Sequence, residues 1–116
     1  MGSLTTHVLD TARGCPAVGI KVSLYRVDLD REELVHGVTN SDGRLDHPLL
    51  QNEDFTCGKY ELIFQAGDYF RAFDSELAEP LFVDEVIIRF GVGVPGQHYH
   101  VPLLVSPWAY STYRGS

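Results

Sequence analysis

Hydrophobic and polar residues alternate along much of this chain, and the alternation limits its fold more than any other feature. In residues 20–25, Ile20, Val22 and Leu24 occupy one parity, while Lys, Ser and Tyr occupy the other. Successive side chains of a β-strand point to opposite faces, so this period of two predicts a strand that is buried on one side. An amphipathic helix would instead show a period of about 3.6 residues.

Short segments of the same kind recur along the chain and are separated by turn signals such as Asp42-Gly43. The further predicted strands are residues 4–9, 33–39, 59–65, 81–90, 97–105 and 109–114. Residues 67–77 carry Tyr69, Phe70 and Phe73 at helical spacing, which predicts one short surface helix. Seven or eight short strands predict an all-β antiparallel sandwich. The chain has 116 residues without repeats or linkers, which predicts one domain over residues 1–116.

Charge and hydropathy exclude two classes of partner. The formal net charge is -7, whereas a protein that binds nucleic acid needs a basic face to neutralise phosphates. No apolar stretch approaches the roughly 20 residues that cross a bilayer, and residues 1–10 do not resemble a signal peptide. We therefore expect that neither nucleic acid nor a membrane is a partner of this chain. We also expect a cytoplasmic location, with Cys15 and Cys57 as free thiols.

The histidines are the most informative candidates for chemistry. His98 and His100 are two residues apart in a predicted strand, so both imidazoles point to one face, and His7 lies in the first predicted strand. Three interpretations are open: a zinc pair completed by His7 or a carboxylate, structural imidazoles, or acid–base and recognition chemistry near neutral pH. His36 and His47 stand alone and are expected in solvated loops or at a strand edge.

The last residues of the chain, Tyr113-Arg114-Gly115-Ser116, follow a His98-Tyr-His-Val-Pro-Leu-Leu segment. With Thr6-His-Val-Leu-Asp near the start and Thr39-Asn-Ser-Asp-Gly-Arg in the middle, this strongly resembles the 5-hydroxyisourate hydrolases, the transthyretin-like enzymes of urate degradation. The resemblance covers essentially the whole chain. Trp108 departs from it, because a Tyr or a smaller residue is more usual there, and we expect this change to affect packing more than chemistry.

The resemblance implies a transthyretin-like sandwich of two four-stranded sheets with one helix, assembled as a homotetramer. Its active sites would lie at the dimer–dimer interface, in the channel where transthyretin carries thyroxine. The implied catalytic residues are His7, Arg44, His100 and Ser116. The implied substrate-binding residues are His7, Arg44, Tyr113, His98 and Arg114, with no metal and no cofactor.

The implied reaction is hydrolysis of the small molecule 5-hydroxyisourate to 2-oxo-4-hydroxy-4-carboxy-5-ureidoimidazoline. We expect His7 or His100 to activate water, the other imidazole to donate to the leaving nitrogen, and Arg44 to stabilise the developing anion. Tyr113 would close the pocket, Ser116 would orient an imidazole or water, and Arg114 would bind substrate or hold the C-terminal segment. The alternatives are a non-catalytic transthyretin-like carrier of small ligands and a zinc-dependent hydrolase that uses His7, His98 and His100.

Overall fold

Two β-sheets pack face to face in the computed structural model, which describes residues 1–116. The strands are β1 (Ser3–Asp10), β2 (Cys15–Pro16), β3 (Lys21–Arg26), β4 (Glu32–Val38), β5 (Leu50–Gln51), β6 (Gly58–Gln65), β7 (Glu85–Val92), β8 (His98–Val105) and β9 (Tyr110–Ser111). One sheet has the order β4-β3-β6-β7. The other, here called the β1 sheet, has the order β2-β1-β8-β9, with β5 beside β1.

The predicted all-β sandwich with one short helix is confirmed, with two refinements. The β1 sheet has five strands rather than four, because two-residue strands β2 and β5 pair with the two ends of β1. Moreover, β1 runs parallel to β8, whereas all the other paired strands are antiparallel. Alternation shows which residues of a strand face the core, but it carries no information on the direction of the neighbouring strand.

Three element boundaries differ from the predictions. The helix, α1, covers Ala66–Arg71 rather than 67–77, because the backbone N–H groups of Phe73 and Asp74 both donate to the carbonyl of Phe70 and the chain turns away. The strand predicted at 81–90 begins only at Glu85. The strand predicted at 109–114 is reduced to β9, followed by a single bridge from Gly115 to His100.

The core lies between the sheets and follows the alternation. Leu4, Val8 and Leu103 of the β1 sheet and Val22 and Leu24 of the other sheet are completely buried. Burying one such side chain contributes roughly 1.5–3 kcal/mol, which fixes the inner face of β1 and β8. Their outer face is thereby left to polar side chains, which build the candidate site. No helix is long and apolar enough to cross a membrane.

Candidate active site

The parallel register of β1 and β8 brings polar side chains together on the outer face of the β1 sheet. Ser3 lies opposite His98 and Thr5 lies opposite His100, while His7 follows on the same face two residues further along β1. The intervening residues of β1, Leu4 and Thr6, are buried in the sandwich. Because alternate residues of the strands are buried in the core, the imidazoles of His7, His98 and His100 all lie on the outer face of the sheet.

The turn at Gly43 places Arg44 beside this surface. Gly43 has a φ of 77°, and its carbonyl accepts a hydrogen bond of 2.8 Å from the backbone N–H of Val8. A Cβ at this position would lie 2.4 Å from the carbonyl oxygen of Val8, so both the backbone conformation and the close approach require glycine. Arg44 consequently forms a β-bridge with His7, and its side chain lies next to the histidines.

The same turn determines which ring nitrogen of His7 carries a proton. Nε2 of the His7 ring lies 2.7 Å from the backbone carbonyl oxygen of Asp42. A carbonyl only accepts hydrogen bonds, so Nε2 carries a hydrogen and donates it. In the neutral imidazole Nδ1 is then the unprotonated nitrogen, which can accept a hydrogen bond from water or from a ligand.

The C-terminal segment closes one end of the site. The backbone N–H of Gly115 donates to the carbonyl of His100 at 2.7 Å, and the N–H of His100 donates to the carbonyl of Gly115 at 3.1 Å. A Cβ at Gly115 would lie 3.3 Å from Cβ of His100 and 3.4 Å from Cδ2 of its ring. The lack of a side chain at Gly115 allows this approach, which brings Ser116 to the histidines.

These elements enclose an open cleft of about 470 Å³, within the range of small-molecule sites. Its lining residues are Thr5, Thr6, Arg44, Leu45, Asp46, His47, Pro48, His98, His100 and Ser116. Only one of them is an acidic side chain, Asp46, although the whole chain carries a formal net charge of -7. The cleft therefore combines one guanidinium, one carboxylate side chain and the imidazoles of His47, His98 and His100, which favours a polar ligand.

Burial lowers the pKa of the His100 imidazole below its ordinary value, and the positive charge of Arg44 lowers this pKa further. His100 is therefore a neutral imidazole near pH 7, able to accept a proton. Its Nδ1 is hydrogen bonded to the hydroxyl of Thr5 at 2.9 Å. Nε2 is the ring nitrogen that remains for a molecule bound in the cleft.

Not every residue implied by the resemblance lies at this cleft. Arg44, His98, His100 and Ser116 line it, and the ring centroid of His7 is 6.5 Å from that of His100. Tyr113 and Arg114 instead line a second cavity, which opens beside β7.

Arg114 has several partners within the same chain. Its guanidinium donates to the side-chain oxygen of Gln97 at 3.0 Å and to the carbonyl of His98 at 3.3 Å, and it lies 4.1 Å from the ring centroid of Tyr99. These contacts attach the C-terminal segment to the start of β8. Trp108 lies outside both cavities, with 65% of its surface exposed.

Sequence reasoning missed Thr5, Asp46 and His47, which line the cleft. Two signals pointed to them: Thr5 has the same parity as His7, and Asp46 and His47 follow Arg44 directly. His47 was expected in a solvated loop or at a strand edge, and it does lie outside the strands, but at the rim of the site. What the sequence lacked was the register that sets Thr5 against His100.

The histidines do not form a preformed metal site. No three side chains among the His, Cys, Asp and Glu residues are grouped so that they could hold a metal ion. The His7–His100 and His98–His100 ring centroids are each 6.5 Å apart, and His98 uses both ring nitrogens in hydrogen bonds to Ser3 and Thr5. This arrangement fits proton transfer and ligand binding better than metal coordination.

Comparisons with known proteins agree with the fold. A family model described as the HIUase/Transthyretin family matches residues 4–115. The 5-hydroxyisourate hydrolase of Pseudomonas aeruginosa is 59% identical over 117 residues, covering 100% of this chain and 93% of the relative. The structure of Klebsiella pneumoniae 5-hydroxyisourate hydrolase is 35% identical, with a TM-score of 0.82 over 100% of both chains.

Two further structures extend the comparison. A crystal structure of (S)-allantoin synthase is 46% identical with a TM-score of 0.94, and the match covers 99% of this chain but only 44% of that longer chain. Sea bream transthyretin in complex with thyroxine is 24% identical with a TM-score of 0.85, over 97% of this chain and 94% of that one, which shows a shared fold. By the match over residues 4–115 and these similarities, this chain belongs to the HIUase/Transthyretin family.

Proposed function

We propose that this chain is an enzyme that hydrolyses 5-hydroxyisourate to 2-oxo-4-hydroxy-4-carboxy-5-ureidoimidazoline in urate degradation. The observation that carries the proposal is the cleft in which the free Nε2 of a neutral His100 lies with Arg44, while the ring centroid of His7 is 6.5 Å from that of His100. The cleft's size and polar lining suit a small, flat, polar bicyclic substrate. The relatives that are named as 5-hydroxyisourate hydrolases support the same reaction.

His100 is the proposed general base. Its pKa is lowered, so the imidazole is neutral near pH 7, and Nδ1 is already bonded to Thr5. Nε2 would take a proton from the attacking water and return it to the ring nitrogen that leaves when the amide bond breaks. Such acid–base catalysis typically contributes about 10²–10⁴-fold to the rate.

Arg44 and His7 are proposed to hold the reacting groups. The guanidinium of Arg44 would stabilise the charge that develops on the carbonyl oxygen, an effect on the order of 3 kcal/mol for one well-placed donor. Nε2 of His7 donates to the carbonyl of Asp42, so an unprotonated Nδ1 would accept a hydrogen bond from the attacking water. This division of roles makes His100, rather than His7, the proton carrier.

A second subunit would explain the position of Tyr113. Tyr113 is 61% exposed and lines a cavity away from the histidines of its own chain. We infer a homotetramer in which active sites lie at the dimer–dimer interface and residues of the C-terminal segment, Tyr113 to Ser116, contribute to substrate binding across it. Ser116 lines the cleft of its own chain and would contact substrate there. His98 would contribute to substrate binding from its position beside His100. The hydrogen-bond partners of Arg114 favour a role in holding the C-terminal segment in place.

Two further properties are part of this proposal. One cluster of 22 buried residues spans both sheets, which supports a single domain over residues 1–116. Cys15 and Cys57 are both free thiols, which suits a reducing compartment such as the cytoplasm. No metal or cofactor has a role in the proposed reaction.

The test is the ultraviolet decay of 5-hydroxyisourate freshly generated by urate oxidase. We expect the wild type to accelerate the decay with or without a chelator, and His100→Ala to lower kcat by at least about 10²-fold. His36→Ala is the matched control, because His36 is exposed on the other sheet and should retain full activity. Decay no faster than the spontaneous rate would favour a carrier, and loss of activity with chelator would favour a zinc hydrolase.

A further inference from the structure

The hydroxyl of Thr5 lies between two imidazoles in the cleft. Its Oγ1 is 2.9 Å from Nδ1 of His100 and 3.2 Å from Nε2 of His98, and Nδ1 of His98 is hydrogen bonded to the hydroxyl of Ser3. These four side chains form a continuous hydrogen-bonded chain, here called the Ser3–His100 chain. Its members alternate between β1 and β8, so the parallel register of the two strands builds it.

The single hydrogen of the Thr5 hydroxyl restricts how this chain can be protonated. Thr5 can donate to only one of the two imidazoles and must accept from the other if both bonds are made. With neutral rings, two arrangements satisfy every bond. In the first, His98 donates from Nε2 to Thr5, Thr5 donates to Nδ1 of His100, and the proton of His100 is on Nε2.

The second arrangement reverses every bond in the chain. His100 donates from Nδ1 to Thr5, Thr5 donates to Nε2 of His98, and His98 donates from Nδ1 to Ser3. Nε2 of His100 then carries a lone pair instead of a proton. The direction of the hydrogen bonds at Thr5 is therefore coupled to whether Nε2 of His100 accepts or donates in the cleft.

We propose that Thr5 and His98 are positioning residues that hold His100 in the tautomer with its proton on Nδ1, so that Nε2 is the base of the hydrolysis. The assignment of Nε2 as the base rests on the proposed function, whereas the tautomer itself does not. The guanidinium of Arg44 lines the same cleft, and a cation there favours a lone pair over an N–H on the nitrogen that faces it. His98 completes the arrangement because its Nε2 accepts the Thr5 hydrogen, which leaves the oxygen of Thr5 to accept from His100.

The tautomer is read directly by ¹⁵N NMR of the two ring nitrogens of His100, in the full-length protein at a pH where the ring is neutral. We expect the proton on Nδ1 in the wild type and in Thr5→Ser, which keeps the hydroxyl. In Thr5→Val the proton should redistribute towards Nε2. His98→Leu should do the same with Thr5 still present, because the Thr5 hydroxyl is then free to donate to Nδ1 of His100.

The kinetic test uses the same variants. Thr5→Val and His98→Leu should each lower kcat by at least about 10-fold, with KM changed by less than about 3-fold, and the double variant should lose little more than either single one. Thr5→Ser should stay within about 3-fold of wild type. Thr11→Val is the matched control, since the Thr11 hydroxyl also bonds β8, at the carbonyl of Val105, but lies away from the imidazoles.

Three results would overturn the inference. The first is a wild-type His100 with its proton on Nε2. The second is a tautomer ratio that is the same in Thr5→Val and His98→Leu as in the wild type, and the third is an undiminished kcat in the folded Thr5→Val protein. If the wild type failed to hydrolyse 5-hydroxyisourate, the proposed function would fall, while the NMR result would still decide the tautomer.

Discussion

At the scale of single residues, charge around His100 sets the acid–base behaviour of the cleft. Burial lowers the pKa of His100, and the guanidinium of Arg44 lowers it further. Arg44→Gln keeps a polar side chain but removes the charge, so we expect the pKa of His100 to rise towards its ordinary value and kcat/KM at neutral pH to fall by about 10²-fold or more. The acid limb of the pH–rate profile should move to higher pH, since the base is active only when neutral.

An NMR titration of the His100 ring protons measures this pKa directly, and Lys21→Gln is the control because Lys21 is an exposed cation on the other sheet. An unchanged pKa of His100 in Arg44→Gln would contradict the electrostatic account.

The sequence shows which residues have side chains suited to catalysis, but it does not show which side chains contact one another. His7, His100 and Arg44 could be named from their types and from the family resemblance. Thr5 shares the parity of His7, but this did not single it out, because a threonine at an outward position of a strand is ordinary. Its importance comes from a strand-to-strand register over more than ninety residues of sequence, which no local pattern encodes.

At the scale of elements, the bridge between Gly115 and β8 determines where the C-terminal segment lies. A Cβ at Gly115 would lie 3.3 Å from Cβ of His100, which is closer than side chains ordinarily pack. We expect Gly115→Ala to push His100 and Ser116 apart by a few tenths of an ångström and to lower kcat/KM by about 10-fold, because the rate at a catalytic centre is sensitive to small displacements of the reacting groups.

Stability is the readout that separates this effect from unfolding. Gly115 is at the chain terminus and contributes no side chain to the core, so Tm of Gly115→Ala should stay within a few degrees of wild type. Gly96→Ala is the control, since a Cβ there meets no neighbouring atom. Full activity in Gly115→Ala would contradict the account of this bridge.

Strands that are half buried were predictable as elements, and those held by only one or two pairs were not. β1, β3 and β8 carry clear alternation and match the predicted segments within a few residues. β2 and β5 have two residues each, too short for any period, and they exist because the ends of β1 offer unpaired backbone groups. The helix was predicted too long because aromatic spacing continues to Phe73, whereas the backbone turns after Arg71.

At the scale of the whole molecule, the inferred tetramer links activity to assembly. Large aromatic side chains are exposed in residues 108–113: Trp108 is 65%, Tyr110 50% and Tyr113 61% exposed. If these surfaces meet in the tetramer, dilution should dissociate the enzyme and lower its specific activity at the same concentration. Tyr110→Glu should weaken assembly and activity together.

Analytical ultracentrifugation and the decay assay, carried out over one dilution series, test this coupling. Phe82→Glu is the control, because Phe82 is also exposed but lies in the loop before β7. A monomer with full specific activity would contradict the placement of sites between subunits.

The central claim is that water is added to 5-hydroxyisourate in the histidine cleft. The most direct measurement is mass spectrometry of the product formed by this protein in water labelled with oxygen-18. We expect the enzyme-dependent product to be heavier than the substrate by one water, with one labelled oxygen in its new carboxylate, and its rate of formation to collapse in His100→Ala. Recovery of the substrate bound but unchanged, with no product beyond the spontaneous reaction, would contradict the claim and leave a transthyretin-like binding protein.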